Sequence, residues 1–267
     1  MTSRADRDCG RAGLRPATGE KRDGDHKRLN DCNKALVIAV SPLSRRAYAR
    51  PAAVSANSAH PSALCVVFLA DVDMEVRSII AAMKPSDCIL FSGGAPGAES
   101  YFGACAERHG VEEVNFTFDG HKIDRHRGVR VLNHEELLAG DVSLQYVSRL
   151  MHRRYTEGPT LRKVLQTLWY QVNNGQEIYV IGSILDDGTV RGGTGWGAEF
   201  AKLCNKPLYV FDQDRNGWSR WTGDEWEQLT EQAEPVITHP HFSGTGTRTL
   251  RDNGAKAIEA LFKRSFT

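Results

Sequence analysis

Ser92-Gly93-Gly94-Ala95-Pro96-Gly97-Ala98-Glu99 and Gly192-Gly193-Thr194-Gly195-Trp196-Gly197-Ala198-Glu199 decide the fold of this chain. Each stretch follows an apolar run that reads as a buried strand, Cys88-Ile89-Leu90-Phe91 in the first case and Ile178-Tyr179-Val180-Ile181 in the second. Each leads into residues with helical spacing. Glycine lets the backbone turn tightly and brings bare N–H groups near a ligand, while the helix that follows points its positive end at the same place. An anion suits that geometry, most often a phosphate. Two such turns on one sheet, each with an acidic residue at the same offset, suggest a site of nucleotide size.

Working outward, the spacing predicts alternating strands and helices. An apolar strand over 63–70 precedes a helix whose inner face is Met74, Ile79, Ile80 and Met83. The first glycine turn then opens a helix over 98–109 that closes on Gly110, a natural C-cap, and 113–118 alternates like a strand. Residues 119–130 read as a polar loop carrying His121, Lys122, Arg125, His126 and Arg127, cations that would face a phosphate if they sit at strand C-termini. Two helices are expected over 141–155 and 160–172, separated by Gly158-Pro159, followed by the 178–181 strand and the second glycine turn. A helix over 198–204 and a strand over 207–211 come next. Trp218, Trp221 and Trp226 read as a small hairpin, and the turn Ser243-Gly244-Thr245-Gly246-Thr247-Arg248 as a third anion cradle before a helix over 252–262. This order predicts an α/β, Rossmann-like, doubly wound and mostly parallel sheet with helices on both faces.

The chain is 267 residues long, with 40% hydrophobic and 25% charged residues, enough for one large domain or two small ones. Its net charge of +1 conceals an asymmetry. Residues 1–60 hold 12 Lys/Arg against 6 Asp/Glu, which leaves 22 basic against 27 acidic residues in the remainder. The head is therefore expected to be a basic, disordered N-terminal extension, and 61–267 a single nucleotide-binding domain with a Trp-rich C-terminal elaboration. The acids Asp6, Asp8, Glu20, Asp23 and Asp25 argue against an organelle presequence, and a nucleic-acid arm would want interleaved aromatics. With an acidic body, nucleic acid is an unlikely partner. No apolar run approaches the roughly 18 residues that cross a bilayer. Six scattered cysteines without CxxC pairs fit a reducing cytoplasm. No motif calls for a resident cofactor, and no histidine or cysteine spacing for a metal.

On these residues the sequence resembles the SLOG superfamily of Rossmann-like nucleotide-binding proteins, and within it the LOG ("lonely guy", lysine decarboxylase-like) type. The SGG-x-x-G turn of that family is matched by Ser92, Gly93, Gly94 and Gly97. Its PGG-x-GT-x-x-E motif is matched at Gly192, Gly193, Gly195 and Glu199, with Arg191 in place of the proline and Trp196 in place of the threonine. Its M-H-x-R-K helix is echoed by Met151-His152-Arg153-Arg154-Tyr155, with Arg162 as a rival arginine. The resemblance spans roughly 63–215.

What the resemblance implies is hydrolysis of the N-glycosidic bond of a nucleoside 5′-monophosphate. Glu199 would be the carboxylate and Arg154 or Arg162 the phosphate clamp. The ligand would lie on Ser92, Gly93, Gly94, Gly97, Gly192, Gly193, Thr194, Gly195 and Trp196, with Ser243, Thr245 and Arg248 as the third turn. It also implies a homodimer. The alternative is a SLOG-type sensor that binds a nucleotide signal without turnover.

Overall fold

The computed structural model describes residues 83–155 and 158–266. The basic head and the expected strand over 63–70 lie outside these residues. After a single 3-10 turn, the order is β1 (Ile89–Ser92), α1 (Ala98–His109), β2 (Glu112–Thr117), β3 (Val129–Val131), α2 (His134–Leu138), α3 (Asp141–Leu150) and α4 (Pro159–Asn174). Then follow β4 (Glu177–Gly182), α5 (Thr194–Leu203), β5 (Leu208–Asp212), β6 (Gly217–Trp221), β7 (Trp226–Gln228), β8 (His241–Gly246) and α6 (Asp252–Phe266).

The eight strands of the described residues form one sheet in the order β3-β2-β1-β8-β4-β5-β6-β7. β3 through β5 run parallel, and β6 and β7 add an antiparallel hairpin at one edge. The doubly wound α/β fold is thus present. β4 shows how it is built, because all six of its residues are buried and successive side chains face opposite ways. Tyr179 and Ile181 enter a core with Phe102 of α1 and Ile258, Leu261 and Phe262 of α6. Ile178 and Val180 enter a second core with Leu165 and Leu168 of α4 and Phe200 of α5. A third cluster, Phe91, Phe116, Phe118, Leu132 and Leu137, closes the sheet near β2. Phe102 is fully buried, and truncating such a ring costs about 3–5 kcal/mol.

Three local readings of the sequence are corrected. Ser243 to Gly246 form no turn: they belong to β8, which inserts between β1 and β4 at the centre of the sheet. The glycines serve packing. A Cβ on Gly244 would lie 2.5 Å from the Phe102 ring, and one on Gly246 would lie 2.5 Å from the Ile181 carbonyl oxygen. Helix α3 ends at Leu150 and His152 takes a left-handed φ of 52°, so the 151–155 run is irregular chain beyond the helix. Finally, α5 begins at Thr194, which places Gly195, Trp196 and Gly197 inside its first turn.

The tryptophan hairpin forms as expected. Trp218 is buried against Phe211, with ring centroids 5.5 Å apart. Trp221 and Trp226 pack edge to face at 5.2 Å, beneath the Lys202 ammonium.

Candidate functional site

The carboxyl ends of β1, β2, β4, β5 and β8 surround a crevice of about 510 Å³. In an open parallel sheet this is where loops diverge and leave room for a ligand. Ala95 and Glu99 line it after β1, His121 after β2, and Gly182 with Ser183 after β4. Arg191, Gly192, Gly193 and Thr194 approach from the α5 side, and Gln213 follows β5. Thr245 and Gly246 line it at the end of the central strand β8, and Thr247 to Thr249 and Arg251 beyond that strand. One wall is apolar: Leu161, Val164 and Leu168, spaced along one face of α4.

The two glycine turns have opposite fates. The first is closed by its own helix. The Glu99 carboxylate accepts the Ala95 amide at 3.1 Å and the Thr245 hydroxyl at 2.9 Å, so it already occupies the place an anion would take. Gly93 is needed for this: a Cβ there would lie 2.5 Å from Gln171 Nε2 and 2.6 Å from Glu99 Oε2. Burial raises the Glu99 pKa above the usual carboxylate range, against the opposing pull of its hydrogen bonds and of Arg248. Ser92 is also consumed, its hydroxyl donating to the Gly244 carbonyl at 2.7 Å. Gly94 accepts the amides of Asp124 and Arg125 at its carbonyl.

The second turn is open. Among the described residues no side chain caps α5, and the first N–H groups of a helix have no partner within it. Gly192 has a left-handed φ of 73° and Gly193 faces open space. Arg191 and Arg248 line the crevice without an ion pair among the described residues, whereas Arg251 is held 2.7 Å from Asp214. The turn itself is braced from behind. Arg153 donates to the Thr189 hydroxyl at 2.7 Å and to the Gly192 carbonyl at 3.3 Å. A Cβ on Gly195 would lie 2.0 Å from the Val190 carbonyl oxygen, so only glycine lets the loop lie against α5 here.

The residues expected from the sequence therefore separate. Gly192, Gly193, Thr194, Thr245 and Arg248 line the crevice. Ser92, Gly93, Gly94, Gly97, Gly195 and Ser243 hold its framework and are not part of its lining. Trp196 cannot stack on a base, being buried in the core of the second face with the Tyr155 ring 5.7 Å away. Glu199 does not line the crevice either. Its carboxylate pairs with Lys202 at 2.7 Å, and that ammonium also donates to the Gly188 carbonyl and lies 4.0 Å from the Trp221 ring. Arg154 and Arg162 line a separate groove with Arg149, His152 and Arg153. Arg162 there pairs with Asp141, which also binds Tyr155 and Gln166.

The two arginines of the 119–128 loop are spent on carboxylates. Arg125 forms a forked pair with the buried Glu113 and reaches Glu107 at 2.7 Å, and Arg127 also faces Glu113. His121 is placed differently. It lines the crevice, contacts Thr117 through Nδ1 at 3.0 Å and stacks on Phe118 with ring centroids 4.6 Å apart. Its Nε2 has no partner among the described residues. Burial and the nearby Arg248 lower its pKa, favouring the neutral ring.

The fold and this crevice define a doubly wound α/β protein with a polar pocket at the carboxyl edge of its sheet. Neither a protein-family profile nor a curated protein matches the sequence. Among solved structures, a crystal structure from Syntrophus aciditrophicus described as a "putative molybdenum carrier protein" is similar, at 14% identity and a TM-score of 0.41. The match covers 69% of this chain and 98% of that one, and a likeness so distant carries no functional argument. Among the described residues, no helix is long and apolar enough to cross a membrane.

Proposed function

We propose that the crevice binds a phosphate-bearing small molecule of nucleotide size, with the phosphate at the N-terminus of α5. The observation that supports this reading is the Gly193–Thr194 helix start, which opens on the cavity beside Arg191 and Arg248; among the described residues the helix has no side-chain cap and neither arginine has an ion pair. A helix N-terminus contributes about 0.3–2 kcal/mol toward an anion, and each arginine adds a charge-assisted hydrogen bond of about 1.5–3 kcal/mol. A cavity of about 510 Å³ lies within the range of small-molecule sites.

Binding without turnover is the favoured form of this proposal, because the expected hydrolytic carboxylate is engaged elsewhere. Glu199 pairs with Lys202, whose ammonium lies over the hairpin tryptophans, and is not part of the pocket lining. Glycosidic cleavage of a nucleoside 5′-monophosphate would instead have to use Glu99, whose two oxygens already accept hydrogen bonds. A second copy of the chain is the proposed protein partner.

Calorimetric titration of the full chain with AMP at low salt tests the reading. Saturable binding is expected, weakened about tenfold or more by Arg248→Ala. No binding at about 1 mM ligand would overturn the proposal. Analysis of the same mixtures for free base and ribose 5-phosphate separates the two forms. Intact nucleotide is expected, and release of base would establish the hydrolase.

A further inference from the structure

Helix α3 is apolar on two sides. Leu144, Val147 and Met151 turn into the second core. On the opposite side Val142, Tyr146 and Leu150 stand exposed, and Leu138 precedes them at the same four-residue spacing. The joint between α2 and α3, Ala139 and Gly140, keeps right-handed helical dihedrals, so the stripe continues across it for about 18 Å. Four of the eight large hydrophobic side chains exposed among the described residues lie on this one stripe, and Val142 is 83% exposed. A surface helix normally gives its single apolar face to its own core, so a second face calls for a cover from outside. Charge lies beside it. Arg149 opens onto a groove of about 640 Å³ that Arg154 also lines, and among the described residues no carboxylate lines that groove. Neither arginine has an ion pair or a side-chain hydrogen bond among the described residues, whereas Arg162 is neutralised by Asp141. His152, strained at a φ of 52°, turns the chain after α3 so that Arg154 joins Arg149. A second hollow of about 430 Å³, walled by Val142 and Tyr146, adjoins the first and shares Arg149 with it.

We propose that this face of α3 is the docking site for an amphipathic helix of a partner protein, one that carries acidic side chains beside its apolar stripe. A row at four-residue spacing is the ridge into which a second helix packs its own side chains. The free guanidinium groups of Arg149 and Arg154 select the charge of that helix, since carboxylates placed over them form charge-assisted hydrogen bonds and a basic helix is repelled. A small anion would satisfy the arginines and leave the stripe bare. A flat bilayer would touch the side-chain tips and leave the two hollows between them unfilled. A second copy of the chain fits poorly here, because a two-fold axis sets like against like and brings these arginines toward their own copies. The second copy proposed above would use another surface. The face shares no residue with the crevice, so the inference stands apart from the phosphate reading.

The test measures fluorescence anisotropy of a labelled peptide of about 18 residues, with leucine at every third and fourth position and glutamate elsewhere, titrated with the full chain. One control peptide has lysine in place of glutamate, and another has the same composition in an order that leaves no apolar face. Saturable binding of the acidic helix below about 0.1 mM is expected, weakened about tenfold or more by Tyr146→Ser and by Arg149→Glu. Both side chains are exposed, so neither change disturbs the core. No binding at about 1 mM would overturn the proposal, as would equal binding of either control or an affinity that neither variant moves. Sedimentation of the chain alone and with phosphatidylserine vesicles decides between occupants. A monomer at this face that stays off the vesicles is expected. A dimer that Tyr146→Ser dissociates, or vesicle binding that it abolishes, would give the face to a second copy or to a membrane and overturn the assignment.

Discussion

Gly97→Ala probes the joint on which the crevice depends. Gly97 precedes α1 with φ 94° and ψ −126°, a conformation open to glycine and strained for any residue with a Cβ. The strain costs about 1–3 kcal/mol. A methyl there would also lie 2.4 Å from the Arg248 carbonyl oxygen and 2.6 Å from that of Thr247, both backbone atoms. To relieve the contact, the loop after β8 must retreat and release the Ala98 amide, which donates to Thr247 at 3.0 Å. That loss adds about 1 kcal/mol. The whole effect is about 2–4 kcal/mol, a large share of the roughly 5–15 kcal/mol that holds a domain together. Urea denaturation followed by circular dichroism measures it, with the slope of the transition unchanged. The same variant should lose AMP binding, because Arg248 moves with the loop. A destabilisation below about 1 kcal/mol would refute the argument that this glycine is fixed by close approach.

Other outcomes follow from the same contacts. Glu199→Gln should leave AMP affinity within about a factor of two, since the residue lies outside the crevice; a tenfold loss in calorimetry would return it to the site. Lys206 donates to the carbonyls of Val172, Asn173 and Gly175 at 2.7, 3.0 and 2.6 Å and so ties off the end of α4. Lys206→Met should therefore cost about 1–3 kcal/mol in thermal or urea unfolding, and an unchanged midpoint would count against that role. The raised pKa of Glu99 gives a signed pH effect. The native state keeps a proton that the unfolded chain releases, so this group removes stability as pH rises from the ordinary carboxylate range through its native pKa. Glu107, Asp141, Asp187, Asp214 and Glu259 have lowered pKa values and act in the opposite sense, but they are common to wild type and Glu99→Gln. The difference in unfolding free energy between the two proteins isolates Glu99. It should shift toward the variant with rising pH, and a flat difference would contradict the assignment.

Particular residues show what the sequence revealed and what it hid. The strand–turn–helix from Ile89 to His109 was legible because a buried apolar run, a glycine cluster and a Gly110 C-cap each act locally. So was α4, whose apolar face repeats with helical spacing. β8 was hidden by its own composition. Small residues and glycines at 243–246 read as a turn, yet they are small because Phe102, Ile181 and Ala98 press on them from α1 and β4. That pressure comes from partners more than 60 residues away and leaves no local mark. Glu99 and Glu199 show the same limit. They stand at one offset from similar glycines, but one helix begins beside the central strand, where Thr245 receives its carboxylate, and the other beside the hairpin, where Lys202 does. The M-H-x-R-K resemblance singles out Arg154, and nothing local in the sequence distinguishes its neighbour Arg153. The end of α3 at Leu150 turns the intervening residues, so that Arg153 reaches the second glycine turn.

The central claim is that the N-terminus of α5 holds a phosphate, and the amides of Gly193 and Thr194 report on it directly. Nuclear magnetic resonance of the ¹⁵N-labelled chain during titration with AMP follows them. The account predicts that both signals shift and saturate together with that of Arg248, while amides of the Arg149–Arg162 groove stay in place. Shifts confined to that groove, or none at Gly193 and Thr194 under saturating ligand, would contradict it.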